Sequence, residues 1–132
     1  MQELKFMQIA INEANIALKK NHIPIGCAII YQNQLIAKAH NSDFWHAEIL
    51  CIQKAQKKLG KFLFGSKIFC TIKPCPMCMH AIKLAKINTL IYGCDNEKII
   101  DFKLEVISSV EEEICKNLMQ KFFKNKRIDD KL

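Results

Sequence analysis

Apolar residues recur with helical spacing over residues 3–20. Leu4, Met7, Ile11, Ala14 and Leu18 fall on one face, flanked by Ala10 and Ala17. That pattern predicts an amphipathic helix packed on a core, and Lys19 and Lys20 suit its C-terminal end. Pro24 breaks it. The run Ile25-Gly26-Cys27-Ala28-Ile29-Ile30-Tyr31 is apolar throughout and predicts a buried strand. Gln32-Asn33 predicts a tight turn, because Asn tolerates positive φ, and Leu35-Ile36-Ala37 predicts the return strand. Gly26 within a strand marks a bulge or the close approach of another group to the backbone.

The alternation continues downstream. Residues 40–45 form a polar-to-aromatic loop, and His46 through Lys58 predict a helix with Ala47, Leu50, Cys51 and Ala55 inward and Gly60 as its stop. Ser66 to Ile72 predict a strand. Pro74 and Pro76 cannot continue it but fit a helix start, and that helix reaches about Ala85 with Ala81, Ile82 and Ala85 on its apolar side. Thr89 to Tyr92 predict a strand closed by Gly93, then a turn at Asp95-Asn96-Glu97 and a short strand near 104–107. Glu111, Glu112 and Glu113 open a last helix, which runs through Leu118, Met119, Phe122 and Phe123 into a basic tail. The order of elements predicts a single α/β layered domain over residues 1–132.

Bulk properties narrow the class a little. No stretch approaches the ~20 uninterrupted apolar residues of a membrane span. The first residues, Met1-Gln2-Glu3-Leu4-Lys5, lack the basic-then-apolar layout of a signal peptide, so a cytoplasmic protein is expected. The seven cysteines then argue against a disulfide framework, and five of them, Cys27, Cys51, Cys70, Cys94 and Cys115, read as small buried hydrophobes. The net charge of +7 favours an anionic partner such as nucleic acid. A coding sequence biased toward A and T gives the same Lys-, Ile- and Asn-rich composition with no ligand involved. Arg127 is the only arginine.

Chemistry concentrates between His46 and Cys78. Pro74-Cys75-Pro76-Met77-Cys78 puts two sulfurs on one side of a first helical turn, with Cys75 at the cap because the residue before a proline avoids the α region. Helix N-termini favour thiolates. A CxxC alone also fits a redox pair or half of a zinc ribbon. The ribbon needs a second CxxC, which is absent here. His46-Ala47-Glu48 supplies one nitrogen ligand and one carboxylate; His22, His40 and His80 lack such a neighbour. His46, Cys75 and Cys78 would leave a tetrahedral zinc, one per chain, with one open position, the mark of a catalytic site. Glu48 is then free to carry a proton from water to a ring nitrogen and on to a leaving amine. HxE followed by PCxxC is the signature of zinc base deaminases.

On these motifs the chain resembles the cytidine-deaminase-like zinc deaminases, and most of all their bacterial tRNA adenosine deaminase branch, over nearly its whole length. Ile23-Pro24-Ile25-Gly26-Cys27-Ala28 resembles the first-strand motif of that branch. Phe122-Phe123-Lys124-Asn125-Lys126-Arg127 resembles its C-terminal helix. The resemblance implies a three-layer α/β/α fold with a mixed five-stranded sheet, helices on both faces, and a homodimer. It implies that Asn41 hydrogen-bonds the target base, that Ala47 and Ile25 lie at the substrate, and that Phe123, Lys124, Lys126 and Arg127 contact RNA. Three departures bear on recognition. The loop from Asn41 to His46 is short, a stretch after Asn96 is missing, and Lys73 and Asp95-Asn96 replace the usual Glu and Arg-Asp.

The leading expectation is a zinc hydrolase converting wobble adenosine of a tRNA anticodon loop to inosine. The alternative substrate is a free base, nucleoside or nucleotide, such as cytosine, guanine, cytidine or dCMP. A third reading, an inactive zinc-bearing paralogue, is opposed by the intact Glu48. A structural zinc or a redox role is the remaining reading.

Overall fold

In a computed structural model the described residues are 2–95, 109 and 111–130, with side chains given for all of these except 115, 118 and 126–130. The chain divides into two compact units, Met1–Ile99 and Ile100–Leu132. The first contains α1 (Gln2–Lys19), β1 (Gly26–Tyr31), β2 (Gln34–His40), α2 (Ala47–Leu59), β3 (Ser66–Ile72), α3 (Pro76–Leu84) and β4 (Thr89–Cys94). The second contains α4 (Glu112–Asp130).

The sheet is mixed, in the order β2-β1-β3-β4. β1 runs antiparallel to both β2 and β3, and β3 runs parallel to β4. Alternate residues of β1 therefore face opposite layers. Ala28 and Ile30 pack with Phe69 against Phe6 and Ala10 of α1. Cys27 and Ile29 pack with Ile68 and Cys70 beneath Cys51, Ile52 and Ala55 of α2 and Ile82 of α3. Helices thus cover both faces. The sheet has four strands among the described residues rather than five, and the strand expected near 104–107 lies outside them.

Local chemistry accounts for the connections. Gln32 and Asn33 both take positive φ, 50° and 62°, the backbone of a hairpin turn whose twist matches its strands. Gly60 ends α2 at φ 96°, where a side chain would be strained. Gly26 has a different reason. A Cβ there would lie 2.0 Å from the Ala10 carbonyl oxygen and 2.6 Å from the Ala14 nitrogen, so α1 sits directly on the strand backbone. Of the two readings for Gly26, close approach is the correct one, and the bulge falls between Ile29 and Ile30.

That contact corrects the face assigned to α1. Its buried residues are Phe6, Ala10, Glu13, Ala14 and Ala17, while Leu4, Ile11 and Leu18 are exposed. Only small side chains fit between a helix and a glycine backbone, so the alanines point inward. Two strand limits also move. β2 continues to His40, its inward Ala37 and Ala39 alternating with outward Lys38 and half-buried His40 at an edge. β4 passes through Gly93 to Cys94, which pairs with Ile72, and residue 93 must be glycine because a Cβ there would meet the Thr71 carbonyl oxygen at 2.8 Å across the ladder. Cys94 is exposed there, contrary to its reading as a buried hydrophobe.

Candidate metal and proton-transfer site

β1 is antiparallel to both its neighbours, so β2, β3 and β4 all point one way. The helices that follow β2 and β3 must both begin at the same edge of the sheet, where sites form in layered α/β folds. His46 is the N-cap of α2 and Cys75 the N-cap of α3, each with extended backbone (ψ 142° and 166°). Their carbonyls accept the first helical bonds, from Leu50 at 3.2 Å and Met79 at 2.9 Å. Pro76 at the first helical position and Cys78 two residues on complete the turn.

This brings the three expected ligands together. His46 Nδ1 lies 3.6 Å from Cys75 Sγ and 3.3 Å from Cys78 Sγ, and one ligand atom from each residue lies within 4.8 Å of the others. Tetrahedral zinc with ordinary bond lengths places a nitrogen and a sulfur ligand about 3.6 Å apart. The donor set fits zinc in type and in spacing. His46 is 42% exposed and Cys75 partly so, whereas Cys78 is buried, so the trio opens to solvent on one side. Burial pushes the Cys78 thiol up, and the hydrogen bond and charge of Glu48 push it further, so a cation must displace a proton to bind.

Glu48 backs the trio at 3% exposed. Its Oε2 is 3.9 Å from His46 Nδ1, the one carboxylate within ion-pair range of that ring among the described residues. Its Oε1 faces away from the opening, 3.4 Å from Cys27 Sγ. Cys27 in turn lies 3.3 Å from Cys70 Sγ. From sequence both sulfurs read only as small buried hydrophobes. The signal for their pairing is β1–β3 register, which no local pattern carries.

The residues expected at the substrate, Asn41, Ala47 and Ile25, gather at the same edge. Asn41 is buried, its backbone N–H donates to Ile25 O at 3.0 Å, and its Oδ1 accepts the Ala47 N–H at 2.7 Å. That bond satisfies an otherwise free amide at the start of α2. It also leaves the amide nitrogen as the group with which Asn41 can meet a base. Ile25 is half-buried against the core. The loop before His46 closes through Ser42 N–H to Trp45 O at 3.1 Å, and Asp43 pairs with His22 at 2.9 Å. It displays Phe44 and Trp45, 83% and 52% exposed, edge to face. His40 is held by Glu13 at 3.1 Å, so His22 and His40 have structural partners. Lys73 and Asp95 pair with each other at 3.8 Å. In α4, Phe123 and Lys124 are exposed, and Lys126 and Arg127 lie in the helix.

A mixed sheet that delivers this donor set beside one buried carboxylate defines a zinc-dependent deaminase. The chain belongs to the cytidine and deoxycytidylate deaminase zinc-binding family, whose model matches residues 1–94. It is 35% identical over 147 aligned positions to a tRNA-specific adenosine deaminase of Streptococcus pyogenes, covering 96% of this chain and 92% of that one. Among solved structures it resembles one from work on A-to-I editing by tRNA:A34 deaminases at the wobble position (TM-score 0.69, 33% identity, 73% of this chain and 79% of that one). A guanine deaminase of Bacillus subtilis shares the fold at TM-score 0.70 and 20% identity, over 89% of this chain and 92% of that one. Among the described residues no helix is long and apolar enough to cross a membrane.

Proposed function

We propose that this enzyme deaminates the wobble adenosine of a tRNA to inosine, as one deaminase domain spanning residues 1–132. The reaction type rests on the buried carboxylate of Glu48 placed 3.9 Å from His46 Nδ1. His46, Cys75 and Cys78 would hold the zinc, which when bound would lower the pKa of water enough to supply a nucleophile at neutral pH. Glu48 accepts a proton from the attacking water and delivers it to the ring nitrogen as oxygen adds to the adjacent carbon. The carboxylate then takes the second proton, from the added hydroxyl, and passes it to the exocyclic amine, which leaves as ammonia as the carbonyl forms. Asn41 orients the base through its amide nitrogen, with Ile25 and Ala47 beside it. The tight Asn41–Ala47 bond keeps that amide fixed relative to the ligand at His46.

RNA as substrate is supported by the 35% identity to a tRNA-specific adenosine deaminase across nearly the full chain. Exposed Phe44 and Trp45 offer faces on which unpaired bases stack, and Phe123, Lys124, Lys126 and Arg127 give α4 a basic end for the phosphate backbone. A tRNA substrate puts the enzyme in the cytoplasm. Exposed Met77 and Leu84 on α3 suit a homodimer contact, which light scattering on the eluted protein checks.

The short loop of residues 42–45 favours a second reading, in which a small base enters unaided. One panel separates the two. Zinc-loaded protein is incubated with an anticodon stem-loop carrying a wobble adenosine, and in parallel with guanine, cytosine, cytidine, dCMP and adenine. Inosine in the stem-loop with no ammonia from the small molecules supports the tRNA reading. The reverse result assigns the enzyme to a free base or nucleotide.

A further inference from the structure

Behind Glu48 lies a sulfur cluster that the reaction scheme leaves unused. Cys27 and Cys70 are register partners on β1 and β3, both fully buried, with their sulfurs 3.3 Å apart. The two oxygens of Glu48 face different ways. Oε2 looks toward His46, and Oε1 looks into the core at Cys27. His46 and Cys78, the other donors near the carboxylate, are committed when metal is bound. We propose that Cys27 is a positioning residue for the deamination: its S–H donates to Glu48 Oε1 and fixes the carboxylate so that Oε2 carries the proton traffic. Cys70 holds the Cys27 side chain in that orientation. The proposal rests on Glu48 being the proton carrier.

The geometry constrains the direction of both bonds. A thiol has one hydrogen, so when Cys27 donates to Glu48 the contact between the two sulfurs uses the hydrogen of Cys70. Burial, and then Cys70 and Glu48, push the Cys27 thiol well up, so it remains a donor throughout the working pH range. The S–H group is a weak, uncharged donor. It orients one oxygen of the carboxylate without binding it as an ion pair would. Its position follows from topology. β1 enters the sheet antiparallel to β2 and β3, so its first residues lie at the edge where α2 and α3 begin.

The test compares zinc-loaded full-length enzyme with Cys27→Ala, Cys27→Ser, Cys70→Ala and Glu48→Ala, reading single-turnover rate, KM, metal content and the infrared S–H band. Cys27→Ala lowers the rate roughly three- to tenfold, the range of one modest hydrogen bond, with KM and one zinc per chain unchanged. Cys27→Ser keeps a donor and stays within about twofold of wild type. Cys70→Ala falls between the two. The S–H band that disappears in Cys27→Ser shifts toward the unbonded frequency in Glu48→Ala.

Four results overturn the proposal: a wild-type rate in Cys27→Ala, a serine variant as slow as the alanine variant, an S–H band unmoved by Glu48→Ala, or a second metal equivalent that Cys27→Ala removes. The last would make Cys27, Glu48 and Cys70, whose ligand atoms also lie within 4.8 Å of one another, a metal site. Should Cys27→Ala fail to fold, the serine variant and the band shift decide. Retained turnover in Glu48→Ala sinks the proton-carrier role itself. A wild-type rate in Cys27→Ala beside an inactive Glu48→Ala sinks only the positioning role.

Discussion

Replacing Glu48 by glutamine exchanges one oxygen for an amide nitrogen and leaves the volume of the side chain nearly unchanged. Glu48 is almost completely buried, so the conservative change matters: alanine would also open space beside the packed Cys27, Cys51 and Cys70. The amide cannot take a proton from water or return one to the leaving amine. Positioned acid–base catalysis contributes roughly 10²–10⁴-fold. The upper end applies here, because no other carboxylate lies within ion-pair range of His46 among the described residues. Glu13 is held by His40, and Asp95 by Lys73. A loss near 10⁴ corresponds to about 5.5 kcal/mol of transition-state stabilisation. The assay is single-turnover conversion of a wobble-adenosine stem-loop, with metal measured by mass spectrometry on the same sample. The expected result is a rate down by about 10⁴ with one zinc per chain retained. Loss of zinc along with activity would make Glu48 a ligand, and a rate within tenfold of wild type would remove it from the mechanism.

Cys75→Ser and Cys78→Ser each strip one sulfur from the trio and should lose stoichiometric zinc; metal retained at one per chain in either variant refutes the ligand assignment. The triple change of Lys124, Lys126 and Arg127 to Ala weakens tRNA binding and reduces the slope of log K against log salt by about two, and an unchanged slope returns the end of α4 to a solvated helix face. Burial raises the thiols of Cys27 and Cys51 above their ordinary 9.0, so the folded chain holds these protons more tightly than the unfolded one. Their contribution to stability is complete below pH 9.0 and declines as pH rises above it. Urea unfolding of the metal-free protein should show a falling midpoint above about pH 9, less steep in Cys51→Ala, and a flat profile contradicts the assignment.

The features legible in the sequence were those set by neighbours along the chain. Pro76 after Cys75 predicts a cap and a first turn, and the cap is where the structure puts Cys75. The glycine after Leu59 predicts the end of α2. Features set by contacts between distant segments were harder to read. The face of α1 differs from the one its periodicity predicts: the periodicity follows large apolar residues, whereas the backbone at Gly26 packs directly on Ala10, Glu13 and Ala14. The Lys73–Asp95 pair is non-local in the same way: the parallel pairing of β3 with β4 places the two residues side by side. An exposed pair of this kind contributes only ~0.2–1 kcal/mol to stability. The Cys27–Glu48 contact needs β1 register, α2 placement and side-chain orientation together, and none of these is a local property.

The most direct test of the account is to run the zinc-loaded enzyme on a wobble-adenosine stem-loop in water enriched in heavy oxygen. The expected product is inosine at the wobble position carrying the heavy atom, with one ammonia released per inosine. Unaltered adenosine, in a sample that releases ammonia from guanine or a cytidine compound, would contradict it.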